Sequence, residues 1–325
     1  MALLEVKNLN ISFQTKKGNL QVVNDLSYVL EKQQTLGIVG ESGSGKSVSA
    51  MSILQLLNKN AVIGGGEIWF EGQNLLKCSK KEIGQLRGNR ISMIFQEPMT
   101  SLNPVFTIQK QLLEPLMIHR KLSKAEGKKQ VLSLLAEVGI ANPEVMAKQY
   151  PHQLSGGMRQ RIMIAMALAC QPGLLIADEP TTALDVTIQV QILHLMKQLM
   201  AEKETAILFI SHDLGLIREM ADVIAVMYCG QIVEMAPKAM FFGKHGCCHP
   251  YSEGLMHAVP RLSVTKGHRL EVIPGSVPRP EELPQGCKFS PRCKYSREIC
   301  KQREPELMEW EPAHFVRCFL CRNMI

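Results

Sequence analysis

The glycine-rich segment at residues 40–47 has the residue types and spacing of a phosphate-binding loop. Its sequence, GESGSGKS, fits the pattern G-x-x-x-x-G-K-[ST] in full and precedes a predicted helix. Glycines let backbone N–H groups converge on one point, and the start of a helix adds positive potential. The predicted ligands are therefore ATP and Mg²⁺. The candidate contacts are Gly40, Ser42, Gly43, Ser44, Gly45 and Lys46 for the phosphates, and the Ser47 hydroxyl for Mg²⁺.

Two adjacent acids, Asp178 and Glu179, end the apolar stretch that begins at Leu174. In open α/β sheets, ligands lie at the carboxyl ends of the strands. We expect Asp178 to hold the Mg²⁺ shell and Glu179 to orient and activate the attacking water, because phosphoryl transfer depends on positioning and charge neutralisation. Adjacent acids after a strand are also typical of a helix cap or a surface turn. The complete phosphate loop upstream favours the catalytic interpretation.

A second candidate anion site is the sequence LSGGM at residues 154–158, which places Ser155, Gly156 and Gly157 at the start of a predicted helix. One domain cannot easily fold both sites onto one nucleotide, so we expect this site to act across a dimer interface. The segment resembles the LSGGQ signature of ABC ATPases, with Met158 in the place of the usual glutamine.

The ABC resemblance extends to four further residues that follow the family order along the chain. It implies that Gln96 is a Q-loop glutamine near metal and water, and that Asp185, in the sequence ALD, belongs to the D-loop. It also implies that His212 contacts the γ-phosphate and that Phe13 stacks on adenine. The implied catalytic residues are Glu179, His212, Gln96 and Lys46, and the implied Mg²⁺ ligands are Ser47, Gln96 and Asp178.

Three wider segments, at residues 96–104, 150–152 and 249–252, look like the oligopeptide and dipeptide permease ATPases. The resemblance covers nearly the whole chain. It implies an ATP-hydrolysing subunit at the cytoplasmic face of the membrane that energises import of di- or oligopeptides. The implied partners are a related ATP-binding subunit in a heterodimer, two transmembrane permeases and an extracytoplasmic solute-binding protein, with no nucleic acid. Nickel and glutathione importers share much of this signature, and a homodimer remains open.

Two rival functions compete with transport. Soluble ABC ATPases act on ribosomes or DNA, but they usually hold two nucleotide-binding domains or a long coiled coil, and neither pattern is visible here. A subunit that binds ATP without hydrolysing it is the second rival. It is disfavoured because every expected catalytic position is occupied.

The elements that position these residues follow an α/β pattern in which apolar strands alternate with helices, as in a mainly parallel sheet. The predicted fold is a RecA-like ABC nucleotide-binding domain with an antiparallel β subdomain over residues 1–260. A helical subdomain is inserted at about residues 97–155, and a small irregular cysteine-rich extension covers residues 261–325. The predicted strands are Leu3–Val6, Ile11–Phe13, Gln21–Leu30, Thr35–Val39, Ile63–Trp69, Ile91–Phe95, Leu174–Asp178, Ala206–Ser211, Val223–Tyr228 and Gln231–Met235.

Local signals place the helices and one hairpin. Helices are predicted over Ser47–Leu57, Gly157–Ala169 and Val186–Met200. Within residues 107–149, the apolar positions predict a helical face with Leu112, Leu113, Leu116 and Met117, and a second with Val131, Leu134 and Leu135. The S-x-x-E pattern that begins at Ser123 predicts a capping box. Cys229 and Gly230 predict the two-residue turn of a hairpin.

Composition bounds the remaining possibilities. The chain has 325 residues, of which 46% are hydrophobic, enough for one large core with a remainder. No apolar run approaches the roughly twenty residues of a membrane span, and the N-terminus does not resemble a signal peptide. The formal net charge of +7 comes from basic residues interspersed with acidic ones, which is typical of a solvated surface.

Four cysteines, Cys287, Cys293, Cys300 and Cys318, lie in a proline-rich segment with few apolar residues to hold it folded. The sequence GCKFSPRC at residues 286–293 resembles the C-terminal extension of peptide permease ATPases, in some of which four cysteines hold a [4Fe–4S] cluster. This resemblance implies such a cluster here. Zinc and free reduced thiols remain alternatives, and Cys321 competes with Cys318 as the fourth ligand.

Overall fold

The computed structural model describes residues 2–16, 18–96, 101–182, 184–243, 246, 248–258 and 273–322. Several predicted features lie outside these ranges: Glu97–Thr100 of the wider permease-like segment, Ala183 of the D-loop, and the domain boundary at residues 260/261. The chain forms two compact units. The first unit contains Glu31–Gln34 and Lys77–Phe209, and the second contains Ala2–Leu30, Thr35–Leu76 and the residues from Ile210 onward.

Strands alternate with helices through most of the described chain. The strands are β1 (Ala2–Thr15), β2 (Gly18–Glu31), β3 (Thr35–Val39), β4 (Ala61–Phe70), β5 (Gln73–Asn74), β6 (Ile91–Ile94), β7 (Leu174–Asp178), β8 (Ala206–Ser211), β9 (Val223–Tyr228), β10 (Gln231–Pro237), β11 (Met308–Glu311) and β12 (His314–Val316). The helices are α1 (Lys46–Ile53), α2 (Lys80–Leu86), α3 (Ile108–His119), α4 (Lys124–Glu137), α5 (Pro143–Met146), α6 (Gly156–Leu168), α7 (Val186–Lys203), α8 (Leu214–Met220), α9 (Lys238–Phe241), α10 (Pro250–Ala258), α11 (Glu298–Gln302) and α12 (Phe319–Arg322). Across the described ranges, none of these helices is both long and apolar enough to cross a membrane.

The second unit contains a four-stranded sheet in the order β2-β1-β4-β5. β1 pairs antiparallel with β4, and β4 pairs antiparallel with β5. The predicted pair of short strands at the N-terminus is wrong, because Ala2–Thr15 is one continuous strand. Its register with β4 shifts between Lys7 and Ile11, and this irregularity interrupts the apolar alternation on which the sequence prediction depended.

The second unit also contributes strands in the order β11-β12-β10-β9-β3. β3 runs parallel to β9, so that Ile38 lies opposite Ala225 in a fully buried layer. The hairpin of β9 and β10 is confirmed. Its turn residues Cys229 and Gly230 have φ values of 45° and 83°, as a type I′ turn requires at both central positions.

The C-terminal part of the described chain is more regular than predicted. β11 and β12 pair antiparallel, and β12 pairs antiparallel with β10, with Phe315 opposite Met235. Strands of three and four residues are too short to produce a periodic pattern in the sequence. The prediction of an irregular extension is therefore wrong for the residues of these two strands.

The first unit orders three strands as β8-β7-β6, and β6 runs parallel to β7. Every residue of β7 is buried. The capping box is confirmed, because Ser123 Oγ accepts from the Glu126 N–H and the Glu126 carboxylate accepts from the Ser123 N–H.

The helical faces in the first unit were predicted with one error. On α4 the residues Val131, Leu134 and Leu135 are buried as expected, and on α3 so are Leu112, Leu113 and Leu116. Met117 was placed on the wrong face, because 45% of it is exposed. It lies one position after Leu116, and this single step rotates it away from the apolar stripe.

Candidate functional site

The phosphate loop of the second unit follows β3 and ends where α1 begins. A Cβ atom at Gly40 would lie 2.1 Å from Met227 O, so no larger residue fits there without a backbone shift. Gly45 precedes α1 with a φ of 95°, which also favours glycine. Ser42 and Gly43 are exposed, whereas Ser44 and Lys46 are buried. The exposed tip beside a helix N-terminus fits a polyphosphate.

Lys46 folds back over this loop. Its Nζ donates to Gly40 O at 2.7 Å and to Glu41 O at 3.0 Å, and it lies 3.4 Å from Ser44 Oγ. These contacts hold a buried ammonium group at the loop. A phosphate oxygen is the kind of acceptor that would replace the backbone carbonyls as its partner.

The acids of the first unit lie at the carboxyl end of β7, as predicted. Glu179 has a φ of 47°, an uncommon conformation for a residue with a side chain. Its Oε2 accepts hydrogen bonds from Gln96 Nε2 at 3.1 Å and from Thr182 Oγ1 at 3.0 Å. The structure therefore brings Gln96 and Glu179 together, although 83 positions separate them in the sequence.

The predicted Mg²⁺ ligands are all oxygen donors, which is the chemistry that Mg²⁺ prefers. In the first unit Asp178 is only 4% exposed, and Gln96 is exposed. In the second unit Ser47 is the second residue of α1 and is half-buried. Their donor chemistry fits the ion, and their assignment as ligands stays a prediction.

The signature segment begins α6, and two of its residues, Ser155 and Gly157, also have structural roles. Ser155 Oγ accepts from the Met158 N–H at 3.3 Å and so caps the helix. A Cβ at Gly157 would lie 3.0 Å from Ile188 Cγ2 on α7, which keeps this position small. Asp185 caps α7 by accepting from the Ile188 N–H at 3.0 Å. Ser155 is exposed to solvent, and Gly156 is half-buried.

Two further predicted site residues lie in the second unit. His212 is exposed and directly follows β8. Phe13 is half-buried on β1, where it pairs with Ala61. Their roles at the γ-phosphate and the adenine stay predictions.

Three residues at the phosphate loop were not identified from the sequence. Arg292 forms a two-pronged ion pair with Glu41 of the loop, with Nη1–Oε2 at 2.6 Å and Nη2–Oε1 at 3.0 Å. The Glu41 N–H donates to Tyr251 Oη at 2.9 Å. The available signal was indirect, because Tyr251 and Arg292 each lie within a segment that marks the peptide permease branch.

The four predicted cysteine ligands line one cavity of about 20 Å³ in the second unit. Burial raises the pKa of the Cys287 thiol to about 12 and also raises the pKa of Cys293. A different group holds its potential ligand atoms within 4.8 Å of one another, and its members are Glu234, Cys248 and His314. Glu234 is fully buried there, with its Oε1 2.8 Å from His314 Nε2.

Two family models match this chain. One is described as ABC transporter and matches residues 23–182, and the other is described as Oligopeptide/dipeptide transporter, C-terminal region, and matches residues 233–300. The Oligopeptide transport ATP-binding protein AppD of Bacillus subtilis is 48% identical over 319 residues, which cover 98% of this chain and 96% of that protein. The Oligopeptide transport ATP-binding protein OppD of Salmonella typhimurium is 47% identical over 317 residues, with coverages of 98% and 93%.

A solved structure is also similar to this chain. It is a dimeric structure of a post-hydrolysis state of the ATP-binding cassette MJ0796, bound to ADP and Pi. The TM-score is 0.65 at 26% sequence identity, and the match covers 72% of this chain and 98% of that one. The predicted ABC-type α/β fold is confirmed by this similarity.

The prediction of a [4Fe–4S] cluster on Cys287, Cys293, Cys300 and Cys318 is wrong. The family models and relatives are described as ATP-binding transport proteins, with no iron–sulfur group, and the close set of potential metal ligands in the described chain is Glu234, Cys248 and His314. We retain neither the cluster nor zinc at these four cysteines.

Proposed function

This chain belongs to the ABC transporter family, and we propose that it is the ATP-hydrolysing subunit that energises import of di- or oligopeptides through partner permeases. The ATPase cassette alone is common to transporters of many solutes. The observation that carries peptide import is the match of residues 233–300 to the C-terminal region of oligopeptide/dipeptide transporters. Relatives at 46–48% identity along nearly the whole chain carry oligopeptide, dipeptide or peptide transport in their names.

The residues divide the chemistry between binding and water activation. The loop at residues 40–47 binds the phosphates through backbone N–H groups and the Lys46 ammonium. Glu179 accepts a proton from the attacking water, and Gln96, which donates to its carboxylate, fixes the orientation of that carboxylate. Ser47 and Asp178 each offer an oxygen donor for Mg²⁺, which, when bound, would neutralise charge on the phosphates.

We propose that the signature segment acts on the nucleotide of a second, related ATP-binding subunit, in a heterodimer. Ser155 and Gly157 lie at the exposed start of α6, and the N-terminus of this thirteen-residue helix attracts an anion. Asp185 at the start of α7 would also act at the nucleotide, because the family resemblance places it in the D-loop. The description of the solved cassette as dimeric supports this arrangement.

The remaining partners are two transmembrane permeases and an extracytoplasmic solute-binding protein, and the chain is peripheral at the cytoplasmic face of the membrane. This assignment rests on the resemblance to peptide permeases. Nickel-chelate and glutathione import are the alternatives of the same family, because the solute pocket lies in other chains.

The experiment is transport by the assembled complex in proteoliposomes. Accumulation of a labelled di- or oligopeptide that requires MgATP, with no ATP-driven accumulation of a nickel chelate or glutathione, supports the proposal. Accumulation of the chelate or glutathione instead would replace the solute. Recovery of the chain with ribosomes or DNA rather than with permeases after mild detergent extraction would overturn transport altogether.

A further inference from the structure

Glu41 is an acidic residue within a loop that binds anions. Its backbone and its side chain are both held by the part of the chain that follows β10. The Glu41 N–H donates to Tyr251 Oη, and the Glu41 carboxylate accepts hydrogen bonds from Nη1 and Nη2 of Arg292. Glu41 O also accepts a hydrogen bond from Lys46 Nζ. The backbone of Glu41 therefore connects Tyr251 to the ammonium group that we expect to bind phosphate.

The guanidinium of Arg292 is held firmly in this arrangement. Its side chain is only 6% exposed, against 30% for Glu41. Arg292 Nε donates to Pro274 O at 2.9 Å, and Nη1 lies 3.5 Å from Tyr228 Oη. Phe289 packs edge-on against the Tyr228 ring, with centroids 5.3 Å apart. A planar guanidinium fixed at every nitrogen loses little freedom when it binds a carboxylate at two points.

An unpaired carboxylate in this loop would oppose phosphate binding. Two like charges that lie close together repel each other, and solvent weakens this repulsion less in a partly buried loop than in bulk water. The Arg292 guanidinium cancels this charge and holds the carboxylate at a fixed place. Consistent with this, the hydrogen bonds and charge of Glu41 raise the pKa of Arg292 further above its ordinary value.

We propose that Arg292 is a positioning residue for ATP binding: it neutralises the Glu41 carboxylate in the phosphate loop, while Tyr251 holds the Glu41 backbone. The proposal rests on the ATPase function proposed above. It gives a role to two segments that set this branch apart, since Tyr251 belongs to residues 249–252 and Arg292 to residues 286–293. On this account, the C-terminal region matters for how the loop holds nucleotide.

The test measures equilibrium binding of MgATP to the full-length chain, with the melting temperature recorded for each variant. The variants are Arg292→Ala, Arg292→Lys, Glu41→Gln and the double variant Arg292→Ala/Glu41→Gln. The matched control is Lys294→Ala. Lys294 lies two residues after Arg292, and its replacement removes a solvent-exposed ion pair with Glu253.

We expect Arg292→Ala to weaken MgATP binding on the order of tenfold, since one uncompensated charge is worth about 1–2 kcal/mol here. Arg292→Lys keeps the charge but not the two-point contact, so its loss is smaller. The double variant recovers most of the affinity that Arg292→Ala loses, because Glu41→Gln removes the negative charge that Arg292→Ala leaves uncompensated. Lys294→Ala binds as the wild type does.

Recovery of MgATP affinity in the double variant distinguishes charge neutralisation by Arg292 from a role in folding alone. If Arg292 only stabilised the fold, the double variant would bind as weakly as Arg292→Ala. That result, or wild-type affinity in Arg292→Ala, overturns the proposal. If Arg292→Ala does not fold, Arg292→Gln, which removes the charge but keeps a long polar side chain, gives the same comparison with and without Glu41→Gln. Failure of the wild-type chain to bind MgATP would instead count against the ATPase function.

Discussion

Gln96 Nε2 donates a hydrogen bond of 3.1 Å to Glu179 Oε2, and this bond joins the end of β6 to the end of β7. The same oxygen accepts from Thr182 Oγ1 at 3.0 Å. The Glu179 carboxylate is thus held by two donors from different segments. A carboxylate fixed in this way is suited to orient a water molecule, because less reorganisation is needed at the moment of reaction.

Replacing Glu179 with glutamine should abolish turnover and spare binding. Glutamine keeps the shape of the side chain but cannot accept the proton of the attacking water. ATP hydrolysis by the assembled complex should fall by about 10²-fold or more, with MgATP affinity within about twofold of the wild type. The control is Glu144→Gln on the exposed start of α5. An unchanged hydrolysis rate would show that Glu179 is not the base and would revive a non-hydrolysing subunit.

Adding a methyl group at Gly40 should damage the phosphate loop. The new Cβ would meet Met227 O at 2.1 Å, and a backbone atom cannot move aside as a flexible side chain can. Gly40→Ala should lower the free energy of unfolding by about 1–3 kcal/mol and weaken MgATP binding. The control is Gly84→Ala on α2, whose Cβ meets nothing within 4 Å and whose backbone is helical, so it should leave nucleotide binding unchanged and stability unchanged or raised by up to about 1 kcal/mol. Denaturant titration and nucleotide titration measure both effects, and wild-type nucleotide binding in Gly40→Ala would refute the steric argument.

Removing the Ser155 hydroxyl should have two separable consequences. Ser155→Ala loses the cap of α6 and should destabilise the chain by about 1 kcal/mol. Ser123→Ala loses the matching cap of α4 and should cost a similar amount. Only Ser155→Ala should also lower ATP hydrolysis in the assembled complex, because only Ser155 belongs to the signature segment. Equal hydrolysis rates for the two variants would leave Ser155 with a purely structural role.

The buried imidazole of His249 should make stability fall in mild acid. Burial lowers the pKa of His249 to about 4, and the Tyr251 N–H donates to its Nδ1, which leaves no room for a proton there. In the unfolded chain, the His249 imidazole binds a proton below a pH of about 6.5. Protonation of His249 therefore leaves the free energy of unfolding unchanged above that pH. The free energy of unfolding then falls by up to about 3 kcal/mol as the pH drops to about 4.

Unfolding free energies measured between pH 4 and 7 test this contribution. The variant His249→Gln keeps an acceptor for the Tyr251 N–H but has no proton to gain. Its stability should vary less across this window than that of the wild type. A wild-type profile as flat as that of the variant would show that His249 is not the source.

The sequence predicted those parts of the site whose contacts are local. The loop from Gly40 to Ser47, the strand that ends at Asp178 and the cap at Ser123 are each encoded within a few residues, so pattern alone was sufficient. The long-range contacts were not predictable. Nothing in the residue pattern pairs Arg292 with Glu41, 251 positions apart, because this pairing depends on how β9, β10 and the following segment fold together.

Two further errors have different origins. β12 pairs with β10, but three residues give no periodic signal by themselves. The cysteine spacing was interpreted through family resemblance, and it led to a cluster that the family comparisons contradict.

If this chain converts ATP hydrolysis into peptide import, the two activities must be lost together, and a coupled measurement in proteoliposomes compares them. ATP hydrolysis and uptake of a labelled oligopeptide are followed together in the complex assembled with wild-type chain and with Glu179→Gln. We expect the wild type to accumulate peptide only with MgATP, and the variant to bind MgATP but to lose hydrolysis and uptake together. Peptide uptake that continues at the wild-type rate in the variant, with hydrolysis abolished, would contradict it.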